Sequence, residues 1–460
     1  MSPVSNTLAK PSVQDRRSAC PGLFRMAQAR DGAICRLKLT FGTLTAGEAR
    51  AIAAAAGAFG NGRIDITNRA NLQIRGVRGD SANALTGALI DAGLGPLTDK
   101  GDDVRNVMIN PLAGYDRARV DVRPLAGRLL ARLQTDPAYQ TLSPKFCLFV
   151  DGGETLAPVE HPHDVWLSAA DPQSPDPHFC FGVAGIAPTA PHQPPALGIV
   201  GMERAFALTT ALLDLFIEWN RQNPAASRLR HMLADIGAET LVGRLERRLG
   251  FAVNGSRCQS WRRSLPAPHG HLGVIHTAND PVCAVGAMPP LGRLDPGSLL
   301  ALARIAENYG AGMLRLTPWQ SVLLPDVAAV RAEDALAALA ALGFRSDPAE
   351  PLATMISCSG AAGCASALAA TRADGLRLAG LLRGLPGIPR IHMSGCAKSC
   401  AAPSAQPVTL VATAPGHYDI FLYATDGPSR FGTLWASNRT IEEAADLIGT
   451  NSGSGGPPHA

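Results

Sequence analysis

Apolar and polar positions alternate along residues 63–66 and again along 72–75. Ile64, Ile66, Leu72 and Ile74 fall on one side, and Arg63, Asp65, Gln73 and Arg75 on the other. A period of two predicts a pair of strands with one face on a core and the other toward water. The Ala-rich stretch upstream has helical character: Thr45 and Glu48 are spaced as a capping box, and Gly60 and Gly62 suit its C-terminal stop. The predicted order is helix, glycine turn, strand, turn, strand. It returns 250 residues later, where residues 292–324 match 42–74 without a gap. Gly42/Gly292, Leu44/Leu294, Gly60/Gly310, Gly62/Gly312 and Thr67/Thr317 are identical pairs, and Ile64/Leu314, Ile66/Leu316 and Ile74/Leu324 keep apolar character. The second copy's strands are predicted at 313–317 and 322–324. An internal duplication therefore organises the chain.

Between the copies the pattern predicts strands at 107–109, 118–122 and 146–150, helices at 126–134 and 203–220, and a Pro-rich loop at 187–195. After the second copy it predicts helices over 328–342 and 365–382 and strands at 407–413 and 419–423. The fold class is α+β. Residues 19–95 and 265–345 are the repeated half-domains, 96–245 and 346–450 two α/β domains, and the polar ends at 1–18 and 451–460 are flexible.

Composition narrows the function. Apolar residues at 46% and charged residues at 17% describe a globular chain. A net charge of +4 on 460 residues is no nucleic-acid signature, so a basic ligand site has to be local. The most apolar stretch, 207–219, is interrupted by Thr209, Thr210, Asp214 and Glu218 and falls short of the ~18 residues a membrane span needs. No apolar leader occupies residues 1–17, and the expected location is the cytoplasm. In that reducing setting clustered cysteines read as metal ligands or redox groups.

Four of the ten cysteines fall within 43 residues as Cys358-x5-Cys364 and Cys396-x3-Cys400. Zinc ligands are usually paired two to four apart, so the second pair fits zinc and the first fits poorly. A cubane iron-sulfur cluster needs four thiolates with small neighbours that let backbone amides approach its sulfides. Ser359, Gly360, Gly363, Ser394 and Gly395 are such neighbours, and a [4Fe-4S] cluster is the favoured reading. Cys20, Cys35, Cys180, Cys258 and Cys283 are scattered and read as buried free thiols.

Cys-x5-Cys with Ser394-Gly395-Cys396-x3-Cys400, in a duplicated chain, resembles the siroheme-dependent sulfite and nitrite reductase superfamily. The run Arg17 to Arg25 (Arg-Ser-Ala-Cys-Pro-Gly-Leu-Phe-Arg), with Asp31, Gly32 and Arg36, and Arg315 to Gln320 (Arg-Leu-Thr-Pro-Trp-Gln), is similar to its precorrin-3B synthase branch. The resemblance implies ferredoxin-like half-domains, two halves enclosing a tetrapyrrole, and a cluster on Cys358, Cys364, Cys396 and Cys400. Arg36, Arg69, Arg105 and Lys145 match positions that hold anions or macrocycle carboxylates. Cys147 departs from the reductase pattern, which has a second lysine in Lys-Phe-Lys. Losing that cation argues against sulfite or nitrite as the substrate. Arg75, Arg78, Arg117 and Arg119 read instead as solvated or surface-paired.

The implied reaction is O2-dependent conversion of precorrin-3A to precorrin-3B, by hydroxylation at C20 with ring A lactone formation. It calls for a non-haem iron, and Glu160-His161-Pro162-His163-Asp164, with His178, holds the residue types of a two-His-one-carboxylate site. His161 and His163 are the candidate ligands, although neighbours such as His163 and Asp164 on a strand would point to opposite faces. Trp319 reads as core at least as readily as a macrocycle stack. With no dinucleotide-binding fingerprint or P-loop, electrons are expected from an external NADH-dependent reductase. The rival readings are a siroheme-dependent sulfite or nitrite reductase, and a tetrapyrrole or iron-sulfur carrier without turnover.

Overall fold

The computed structural model describes residues 20–253, 255–278, 281–423 and 429–452. The predicted flexible 1–18, most of 451–460 and the Arg17–Ala19 part of the first motif lie outside them. Among the described residues four five-stranded sheets make up the fold. Two belong to the repeat copies. The first orders strands 27–29, 32–37, 72–77, 64–66 and 293–294, and the second orders 273–276, 282–287, 322–328, 313–316 and 43–45. Each sheet thus ends on a strand lent by the other copy: Arg293 pairs with Asp65, and Leu44 with Leu314. One shared core joins them, in which Ile64, Leu72 and Ile74 meet Leu302, Leu314 and Leu324. Apolar burial and reciprocal backbone pairing make the copies one body.

The predicted helices form at Ala46–Phe59, with the Thr45–Glu48 capping box in place, and at Pro296–Tyr309, capped by Asp295. The identical Gly42 and Gly292 have a structural cause. Both follow a residue in left-handed conformation, Phe41 or Leu291, and both have positive φ themselves (71° and 72°). A Cβ on Gly42 would lie 2.8 Å from the Leu316 carbonyl oxygen, and one on Gly292 2.4 Å from Gln320 Oε1. These corners launch the exchanged strands.

The two other sheets share one plan. Strands 107–109, 148–151 and 163–169 are parallel neighbours, followed by antiparallel 178–185 and 198–201. Strands 355–357, 391–394 and 408–414 are parallel, followed by antiparallel 417–422 and 433–439. The duplication therefore extends beyond the stretch visible as sequence identity.

Three predicted elements change. Residues 118–122 are a turn rather than a strand, because Asp116 accepts from the amides of Ala118 and Arg119. The helix predicted from 328 begins at Ala332, since the preceding strand stays paired as far as Ala328, opposite Val282. The helix predicted from 365 begins at Thr371; the six residues before it form a loop in which Leu368 donates to the Gly395 carbonyl. The polar face of the 64–77 hairpin is also not toward water. Asp65 and Arg75 are 6% and 2% exposed, because that face is covered by the second α/β unit. Among the described residues no helix is long and apolar enough to cross a membrane.

Candidate functional site

Parallel pairing brings the four cysteines together. Ser357 stands opposite Met393 in adjacent parallel strands, so both strands end on the same sheet edge. Cys358 follows one strand, Gly395 and Cys396 follow the other, and the C-terminal edge of a parallel sheet is where such folds place ligands. The Gly395 amide donates to Cys358 Sγ at 3.2 Å, and Thr371 Oγ1 lies 3.5 Å from the same sulfur. Gly395 has no room for a side chain, since a Cβ would approach Ala367 Cβ to 2.6 Å. All four cysteines are free thiols that line one cavity of about 840 Å³. Burial pushes the Cys400 thiol up, and Cys358, Cys396 and Cys364 push it further, as four sulfurs gathered around one space must. Among the described residues no three His, Cys, Asp or Glu stand close enough to share a single ion.

The cavity is also cationic, and its size lies in the upper part of the usual range for small-molecule sites. Arg36, Arg69 and Lys145 line it as the resemblance implies. With the Gln73 carboxamide turned so that its oxygen faces the guanidinium, Arg36 donates twice to it (2.7 and 3.1 Å). Burial, and then the nearby Arg69, lower its pKa to about 10. Arg69 donates to the carbonyls of Pro144 (3.5 Å) and Lys145 (2.9 Å). Among the described residues no carboxylate pairs with any of these three. Cations held in a cleft without counter-charge mark an anion site.

Arg105 is a correction. Its guanidinium forms a buried ion pair with Asp102 (3.0 Å) and donates to the carbonyls of Leu94 and Gly95, so it does not line the large cavity. The two-His-one-carboxylate site is a second correction. The Asp164 carboxylate is turned to Arg228 (2.8 Å) and accepts from the amides of Cys147 and Leu229. Glu160 accepts from Trp319 Nε1 (2.7 Å), and His178 lies 3.6 Å from Asp171. His161 and His163 do stand together in the cavity wall, their ring centroids 4.9 Å apart, but among the described residues no carboxylate completes a triad. Trp319 is core, stacked on His271 at 4.9 Å.

Arg75 is a third correction. Instead of being solvated it is bound to Asp31 (2.8 Å) and donates to the Gly363 carbonyl (2.7 Å), tying the first repeat copy to the cysteine loop. Arg372 and Arg228 also reach the cavity and were not singled out in the sequence. Arg78 is exposed as expected, and Cys20, Cys35, Cys180, Cys258 and Cys283 are all buried.

The family model described as the nitrite/sulfite reductase ferredoxin-like half domain matches residues 27–92 and 276–342, and that of the nitrite and sulphite reductase 4Fe-4S domain matches 100–253. The chain belongs to the nitrite and sulfite reductase family. It is 31% identical to a chloroplastic ferredoxin–nitrite reductase of Zea mays, over 82% of this chain and 69% of that protein. It is 29% identical to a precorrin-3B synthase of Sinorhizobium sp, over 96% of this chain and 90% of that one. The solved NirA protein of Mycobacterium tuberculosis superposes with a TM-score of 0.74 over 93% of this chain and 82% of its own, at 21% identity, and so shares the fold. The family's 4Fe-4S match falls on the first α/β unit, whereas the four clustered cysteines lie in the second, which repeats its strand plan.

Proposed function

We propose that the chain is an iron-sulfur oxidoreductase of the precorrin-3B synthase type, acting on a tetrapyrrole polycarboxylate. The observation that carries this is the cavity, lined by the four thiols and by the cations Arg36, Arg69 and Lys145, none of which pairs with a carboxylate among the described residues. Cys358, Cys364, Cys396 and Cys400 would hold a [4Fe-4S] cluster, which when bound supplies one-electron transfer. The Gly395 amide and the Thr371 hydroxyl beside Cys358 steady its sulfur. Arg36, Arg69 and Lys145 orient the substrate through its carboxylates by charge-assisted hydrogen bonds.

The overall reaction is precorrin-3A with O2, two electrons and two protons giving precorrin-3B and water, one oxygen atom entering at C20. The electrons come from an external NADH-dependent reductase. Two observations favour this over a siroheme-dependent nitrite or sulfite reductase. The Sinorhizobium synthase is matched over 90% of its length, against 69% for the maize reductase. Cys147 is fully buried, its thiol pushed up first by desolvation, and it brings no cation to the large cavity. The reductase reading rests on the 31% identity to the maize enzyme. No mononuclear iron is assigned to residues 160–164.

The test is the full chain, purified anaerobically. About four irons and four sulfides per chain, no siroheme bands, and O2 uptake that needs both precorrin-3A and a reductase support the reading. Siroheme in the purified protein with nitrite turnover would replace it with the reductase, and tight tetrapyrrole binding without O2 uptake would leave a carrier.

A further inference from the structure

Asp65, Arg75 and Arg372 line the large cavity together with Cys358 and Cys364 and have no part in holding the substrate. Their side chains are 9%, 3% and 14% exposed. Asp65 is shared by Arg293 (2.6 Å), Arg372 (3.1 Å) and Arg75 (3.7 Å), and Arg75 also holds Asp31 (2.8 Å). Three guanidiniums thus meet two carboxylates, which leaves the network one positive charge in excess. Arg63 adds to that excess, since it reaches Asp31 from the solvent side at 4.0 Å. A buried charge of one sign is costly unless an opposite charge answers it nearby.

The network reaches both loops of the first cysteine pair. Arg75 donates to the carbonyl of Gly363 (2.7 Å), the residue before Cys364. Arg372 follows Thr371, whose hydroxyl lies 3.5 Å from Cys358 Sγ and donates to the Cys358 carbonyl (3.1 Å). The Arg372 guanidinium donates to the Leu291 carbonyl (3.1 Å) and to Asp65, while its Nε is buried without a partner. Burial lowers its pKa to about 10; Asp65 opposes that shift, and so does the Cys358 sulfur. The guanidinium is therefore charged at neutral pH and within electrostatic reach of a cluster ligand. Reduction of a cubane adds one negative charge to a group that four thiolates already make anionic, with no bond made or broken. A fixed cation beside it favours the reduced form.

We infer that the Asp65 network sets the reduction potential of the cluster, the excess positive charge acting through Arg372 at the Cys358 side to stabilise the added electron. The inference rests on the cluster reading above and not on the identity of the organic substrate. Arg372 acts here on the energy of the electron and makes no contact with substrate. Removing the cation and removing its carboxylate must then move the potential in opposite directions, which a purely structural role does not do.

The experiment uses the full chain purified anaerobically with its cluster. Each variant is followed by a dye-mediated redox titration of the cluster absorbance and by its iron and sulfide content. Even at about 10 Å and an effective dielectric of about 20, one unit charge changes a one-electron equilibrium about tenfold. Arg372→Met is therefore expected to lower the midpoint by about 59 mV, the equivalent of a tenfold change for one electron. Arg372→Lys, which keeps the charge, should shift it less than half as far. Asp65→Asn should raise it. If Asp65→Asn does not fold, Arg293→Gln takes its place: it relieves Asp65 of one cation, leaves that carboxylate to neutralise Arg372 more fully, and should lower the midpoint. Arg377→Ala, on the exposed face of the same helix, should leave the midpoint where it is. An Arg372→Met midpoint at or above the wild-type value overturns the inference, as does loss of iron from that variant. A lower midpoint in Asp65→Asn, or a higher one in Arg293→Gln, overturns it too. A wild-type chain that holds no four-iron cluster refutes the cluster reading itself, whereas any of the other results beside an intact wild-type cluster refutes the role of the network alone.

Discussion

Arg36→Ala and Arg105→Ala, two changes of the same chemistry, should have opposite readouts. Arg36 faces the cavity with its guanidinium held by an amide, Gln73, and by no carboxylate, so removing it strands no buried anion. What is lost is a ligand contact. A hydrogen bond to a charged group contributes ~1.5 to 3 kcal/mol, which corresponds to a Kd roughly ten- to a hundredfold weaker. Arg105 is the reverse case. Its side chain and that of Asp102 are 8% and 5% exposed, and deleting the cation leaves a buried carboxylate. Breaking such a pair costs ~3 to 5 kcal/mol. Asp102 keeps the Leu23 amide at 2.8 Å, so the lower figure applies. At ~2 °C per kcal/mol for a large domain, Tm should fall by roughly 6 °C. The assays are a quenching titration with uroporphyrin and a thermal melt, run on both variants. If Arg105→Ala weakened binding as much as Arg36→Ala and left Tm in place, the division of the two arginines between site and scaffold would be wrong.

Cys358→Ser, Cys364→Ser, Cys396→Ser and Cys400→Ser should each abolish the visible absorbance of the cluster, because a hydroxyl is a poor ligand for its irons, while Cys147→Ser should keep it; bleaching by Cys147→Ser alone would refute the ligand set. Asp65 is buried among Arg293 (2.6 Å), Arg372 (3.1 Å) and Arg75 (3.7 Å), and Asp65→Asn should cost ~3 to 5 kcal/mol in urea unfolding; a loss under ~1 kcal/mol would show that the junction of the two repeat copies does not depend on it. Burial raises the pKa of Asp65, but the three arginines outweigh this and hold it below the usual carboxylate range, so its contribution is present above about pH 4 and is lost as pH falls through the folded value. His161 and His392, lowered to about 3 by burial and then by neighbouring arginines, must charge on unfolding. Their contribution is complete above about pH 6.5 and declines as pH drops from there toward 3, so urea midpoints should fall across that window and less steeply in His392→Gln.

Local chemistry determined much of this protein in advance. The capping box at Thr45, the Asp295 cap at the same place in the second copy, the helix stops at Gly60 and Gly310, and the hairpins after them are all short-range features. The clustering of the four cysteines was equally legible, because they fall within 43 residues, and the family resemblance pointed to Arg36, Arg69 and Lys145, which line the same cavity. Tertiary structure decided what depends on partners distant in the chain. Nothing near Arg105 in sequence says that its guanidinium turns back to Asp102 and to the Leu94 carbonyl. Alternation placed Arg75 and Asp65 correctly on the polar face, but whether that face meets water or another layer depends on where residues 346–450 pack, and they pack against it. The exchange of strands 43–45 and 293–294 is invisible to periodicity, because a strand's alternation is the same whichever sheet it completes. The histidines at 161 and 163 show the same divide. Their residue types suggested metal ligation, whereas the fold turned the flanking carboxylates to Arg228 and Trp319 and packed both rings into the cavity wall with their nitrogens buried.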